Sequence, residues 1–206
     1  MSYNKTIICQ SALIKLGEEL ILSTEDGTKA TELCDARYTF CRDLVIGEVK
    51  PRIARARQVL GANGNTPAFE YEAEFNLPTD YLAMRKVCDE GGYEIERDEY
   101  ELEGTTILAN ESTLYLKYIK RITNIAFIDD DTAEAMALYL AYDISDAITQ
   151  SDTKLARLQE RYMIAKREAK SRNSREQPTR QVNATGLLSA RNGSRRRRGR
   201  FPPEAY

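Results

Sequence analysis

The chain has 206 residues, 42% of them hydrophobic, enough for one cored domain with an inserted part and a tail. It contains no histidine, and its four cysteines show no C-x-x-C spacing, which excludes His-based catalysis and disfavours a zinc site. The formal net charge of −2 conceals an asymmetry, because residues 172–206 hold nine arginines and two glutamates (+7) against −9 for residues 1–171.

An acidic body therefore carries a basic tail. No apolar run approaches the ~20 residues of a membrane span. The N-terminus lacks the charged, apolar, small-residue order of a secretory leader, so the expectation is a chain that begins in a cytoplasm.

Residues 5–16 predict a first helix, with Asn4 as cap, Gly17 as stop, and Ile7, Ile8, Ala12, Leu13 and Leu16 on its apolar side. Residues 18–27 read as a connector turning at Asp26-Gly27. A longer helix from Thr28 places Ala30, Leu33, Cys34, Arg37, Cys41, Leu44 and Val45 along one stripe, and Pro51 predicts a kink or stop near Val49-Lys50. Cys9, Cys34, Cys41 and Cys88 are expected as buried free thiols. Residues 51–60 predict a short basic helix. Arg52, Arg55 and Arg57 would not share a face of it, which favours a solvated surface over a phosphate site.

The loop at 61–67 marks a change of period. Phe69, Tyr71, Ala73 and Phe75 alternate with Glu70, Glu72 and Glu74, the pattern of a half-buried strand. A turn at 76–82 leads to a strand at 83–88, then a hairpin turn at Glu90-Gly91-Gly92. Residues 93–98 and 100–110 predict two more strands, and 113–122 a last one with Leu114, Leu116 and Tyr118 opposed to Tyr115, Lys117 and Ile119. The expected topology is one small antiparallel meander inserted between two helical parts. Glu70, Glu72, Glu74, Glu94, Glu96, Glu99, Glu101 and Glu103 then form its outward polar face; glycosidase-like carboxylate pairs are the weaker reading.

Residues 131–172 predict two helices broken at Gln150-Ser151, an antiparallel hairpin around which the rest is organised. The first carries Ala133, Met136, Ala137, Leu140, Ala141, Ile144, Ala147 and Ile148 on one face, with Asp131 and Glu134 as a capping box. The second carries Leu155, Leu158, Tyr162, Ala165 and Ala169, capped by Ser151 or Asp152. Beyond Arg172 no period persists, and a tail that folds on binding is expected. It holds an apolar pair, Leu187-Leu188, a cation cluster at Arg195, Arg196, Arg197, Arg198 and Arg200, and an aromatic end at Phe201 and Tyr206.

The fold class expected is thus α+β. It comprises a mainly α-helical bundle (residues 1–60 and 129–172), an inserted antiparallel β-subdomain (61–128) and an extended basic arm (173–206). No P-loop, dinucleotide fingerprint or nucleophile elbow occurs, so neither catalytic residue, cofactor nor metal is expected.

The order of parts resembles the tail tubular protein A family, the head-to-tail adaptors of short-tailed bacteriophages. The resemblance spans roughly residues 8–190 and lies in helix order and short phrases: Leu77-Pro78-x-Asp80-Tyr81-Leu82, Tyr118-Ile119-x-x-Ile122, and the Ala/Leu-rich helix after Phe127. It implies a virion protein assembled in the host cytoplasm into a homo-oligomeric ring, usually a dodecamer. That ring would dock under the portal protein and above the tail nozzle protein, around a channel for double-stranded DNA, with no membrane involved. It further implies a nozzle-facing β-region, placed at Phe75, Leu77, Asp80 and Tyr81. The arm, with Leu187, Leu188, Arg195–Arg198, Arg200, Phe201 and Tyr206, would clamp the portal. The arginine cluster lies outside the resemblance. It carries the alternative reading, a nucleic-acid-binding protein acting through its Arg-rich tail.

Overall fold

The computed structural model describes residues 2–18, 27–149 and 151–175. The chain divides after Arg175 into two units, of which the second, 176–206, lies outside the described residues. The first is mixed α+β. Its elements run α1 (Lys5–Leu16), α2 (Lys29–Val49), a 3-10 turn (Arg52–Ala54), β1 (Arg55–Gly61), β2 (Ala73–Asn76), β3 (Tyr81–Cys88), β4 (Tyr100–Glu103), β5 (Thr106–Ala109), β6 (Thr113–Lys120), α3 (Asp130–Thr149) and α4 (Asp152–Arg175).

Local chemistry sets the first two helices. The Asn4 side chain accepts the Ile7 amide at 2.8 Å, and Gly17 ends α1 in the left-handed region at φ +77°. Thr28 caps α2 through its hydroxyl, 3.2 Å from the Thr31 amide, and left-handed Lys50 followed by Pro51 ends it as expected. The buried stripe of α2 is rotated from the expected one. Tyr38 and Arg42 join Cys34, Cys41 and Val45 inside, while Arg37 turns outward to grip Asp143 of α3 through two bonds of 2.6 and 3.0 Å.

The β part departs from expectation in five places. Residues 55–61 are a strand, not a basic helix, because all seven pair with β6, and that ladder overrides the local helix propensity of Arg, Ala and Gln. The β part accordingly begins near residue 55, not 61. The topology is not a meander: the last strand, β6, lies between β1 and β3 in one antiparallel sheet, and β5 lies between β2 and β4 in a second. The strand expected from Phe69 shortens to Ala73–Asn76, since Glu70 adopts φ +68° and Phe69 stands 76% exposed. Residues 93–98 contribute a single bridge, Glu94 to Cys88, and 100–110 splits into the β4–β5 hairpin at left-handed Gly104.

Inner faces of both sheets share one core, with Leu60, Leu114, Leu116, Tyr118 and Val87 from one and Phe75, Ile107 and Ala109 from the other. The second core is helical. α3 lies in its middle, packed on α1, α2 and α4, and buries Ala133, Ala135, Met136, Ala137, Leu138, Leu140, Ala141 and Ile144. Small side chains let the neighbouring helices come close. Ala147, expected on this face, is exposed. The cap is Asp129, whose carboxylate accepts the Thr132 amide at 3.0 Å; Asp131 instead pairs with Arg172 at 2.6 Å. α4 keeps its buried stripe of Leu158, Tyr162, Ala165 and Ala169 and extends it to Asn173, so the helix passes the expected end at 172. Helical and β parts meet where Ile46, Ala54, Ile119 and Ile122 cluster, and where Asp43 accepts both Arg42 and Arg121 at 2.7 and 2.8 Å.

Candidate interaction surfaces

The residues singled out in the sequence fall into two groups. Leu187, Leu188, Arg195–Arg198, Arg200, Phe201 and Tyr206 lie outside the described residues. The four β-region residues are described, and each has a structural task. Phe75 is wholly buried between the sheets, with no surface to offer a partner. Leu77 packs on the same core, and Tyr81 stacks on Tyr118 with ring centroids 6.1 Å apart. Asp80 accepts the Tyr118 hydroxyl at 2.9 Å and, through its carbonyl, the Arg121 amide at 2.6 Å. Burial, and then Asp80 itself, pushes the Tyr118 phenol up to about 12, so it remains a donor at neutral pH. This cluster fixes the start of β3 against β6.

Two of the four buried thiols, Cys9 and Cys41, are poorly disposed to react, whereas the hydrogen bond with Cys9 holds Cys34 below its ordinary value. Burial first, then the Asp143 carboxylate, pushes Cys41 up to about 12. Cys9 is pushed up by its hydrogen bond with Cys34 and by burial. Among the described residues no group of three or more His, Cys, Asp or Glu is placed to hold a metal ion, and no helix is long and apolar enough to cross a membrane.

What the strand register assembles is surface. On the outer face of the β1–β6–β3 sheet, Arg57, Lys117 and Lys86 lie side by side across all three strands. The adjacent row is Val59, Tyr115 and Cys88. Like charges placed directly opposite one another destabilise a sheet. Lys86 is relieved by an ion pair with Glu94, whereas Arg57 and Lys117 have no acidic partner among the described residues. Between the rows opens a groove of about 230 Å³, lined by Arg57, Gln58, Val59, Tyr115, Leu116 and Lys117, with Cys88 and Gly92.

The opposite sheet carries the reverse charge. Glu74 and Glu101 flank Leu108 across β2, β5 and β4, and Glu103 follows in the next row beside Thr106. Exposed Phe69, with Glu70 and Tyr71, borders this face. The Tyr71 phenol is held above its ordinary value, by desolvation first and then by Glu101, Glu70 and Asp98. Because the two sheets share one core, these faces point in opposite directions.

Sequence reasoning identified the outward glutamates but missed the cation row. Its signal was the alternation Arg55, Arg57, Val59 in residues read as a helix. The chain matches no known family model and no curated protein sequence.

Proposed function

We propose that this chain is a structural phage virion protein, a head-to-tail adaptor whose copies form a ring under the portal and above the tail nozzle, leaving a channel for DNA ejection. The observation that carries this reading is the insertion of the whole β part between α2 and α3. That order of parts is the one the resemblance over residues 8–190 implies. The three helices gathered on α3, together with it, are read as the bundle of such an adaptor, with the β part reaching toward the nozzle. Thiols that are all buried and a surface of charged rows suit assembly better than catalysis.

A second reading has its own support. α4 carries eight lysines and arginines against three acidic residues and leads directly into the Arg-rich tail, an arrangement suited to contacting phosphates with little sequence preference.

The test is a pull-down of full-length protein and of residues 1–175 against isolated portal rings and duplex DNA over a salt series. Ending at Arg175 keeps α4 whole. Full-length protein should hold portal rings, and truncation should weaken that binding. DNA retained at physiological salt, with no portal binding, overturns the adaptor reading in favour of the second.

A further inference from the structure

The two outer faces of the β part are complementary, and they belong to the same chain. We propose that they are the two halves of one contact: the basic face of the β1–β6–β3 sheet receives the acidic face of the β2–β5–β4 sheet of a second copy. The inference rests on the reading of the chain as a ring former, and names the surfaces by which neighbours meet.

Three observations point to a second copy as occupant. The first is charge. Arg57 and Lys117 form a row that costs the isolated sheet stability, and it would be neutralised by Glu74, Glu101 and Glu103, which have no basic partner among the described residues. The second is shape. Phe69 projects from the border of the acidic face, 76% exposed, and the basic face holds a groove of about 230 Å³ walled by the side chains of Val59 and Tyr115. A dry cavity of about 150 Å³ takes a benzene ring. Phe69 is thus a knob and the groove a hole of suitable size. The third is direction. Opposite faces of one body that bind each other give a heterologous contact, which closes into a ring or runs on as a filament.

Area decides how strong this contact is. The acidic face sets the limit: its three strands, each four residues long and about 4.8 Å apart, present roughly 200 Å². A stable interface needs about 800 Å² from each partner. The contact is therefore weak between free copies and forms when copies are already held side by side. That suits a chain that stays monomeric until a symmetric template collects it.

Cross-linking reads such a contact. Full-length chains with Val59→Cys and with Phe69→Cys, each differently tagged, are mixed at low salt under mild oxidation, alone and on portal rings. Both positions are exposed, so neither substitution touches the core, and the native thiols are buried. The expected result is a disulfide between the two kinds of chain, with little linking within either kind. Adding Arg57→Glu and Lys117→Glu to the Val59→Cys chain should lower the yield by about tenfold. Adding Glu74→Lys and Glu101→Lys to its partner should restore it. Equal linking within each kind, indifference to charge reversal, or no link even among portal-bound copies overturns the inference. Portal-bound copies without the link leave the adaptor reading standing. A charge-dependent link in a chain that ignores portal supports the inference and removes the adaptor.

Discussion

Phe69 and Phe75 are six residues apart, chemically identical and oppositely placed, which makes them an internal control for the sandwich. Phe75 is fully enclosed, opposite Ile107 in the register and beside Leu77 in the shared core. Truncation to alanine removes its buried surface and leaves a cavity that two sheets held by their ladders cannot close, a loss of about 3–5 kcal/mol. Phe69 stands 76% exposed, so the same truncation should cost within about 0.5 kcal/mol. In a domain whose whole stability is about 5–15 kcal/mol, the first change is a large fraction. It should lower the melting temperature by roughly 10 °C. The chain has no tryptophan, so urea unfolding followed by far-ultraviolet circular dichroism is the suitable assay, with the slope compared between variants. If the two variants unfold within 1 kcal/mol of each other, Phe75 is not a core residue and the packing of the two sheets described above is wrong.

Glu48 supplies a pH test. Burial pushes its carboxyl up, but hydrogen bonds from Tyr162 and Lys166 override that and hold it below its ordinary value of 4.5. Its contribution is therefore complete above about pH 5 and is lost as pH falls through the lowered value; the stability gap between wild type and Glu48→Gln should narrow below pH 4, and a gap that widens there refutes the assignment. Lys50 holds a left-handed backbone, φ +57°, at the end of α2. Lys50→Gly should raise stability by about 0.5–1 kcal/mol in the same urea assay, relief of strain exceeding the added freedom of the unfolded chain. All four thiols are buried, so a thiol reagent such as DTNB should titrate none in the native protein and all four in denaturant. Fast labelling of Cys41 would contradict its burial.

The helical half was legible because its signals are local. Asn4, Gly17, Thr28 and Pro51 each act within one turn of their own position, and the period of residues 133–144 lies within one window. The misreadings share one cause. Arg55–Gly61 is a strand because Thr113–Ile119 lies beside it, more than fifty residues away. The cation row joins positions 57, 86 and 117, which no stretch of sequence brings together. Asp129 displaced Asp131 as cap by a shift within the error of reading helix ends from sequence. Alternation placed Phe75 correctly inside. Its assignment to a partner-facing surface came from the resemblance and not from the residues.

The pairing of the first strand of the insertion with the last has a kinetic consequence. α2 and α3 must find each other across about 80 residues of chain, a closure that grows costlier with length. Once β1 and β6 zip together, the end of α2 and the start of α3 are delivered side by side, and the effective loop shrinks to the short segments outside the ladder. A fivefold shorter loop lowers the closure cost by about 1.4 kcal/mol, roughly tenfold in rate if closure limits folding. The insertion then acts as a clasp for the helices around it, and substitutions in the β1–β6 ladder should slow refolding more than they speed unfolding.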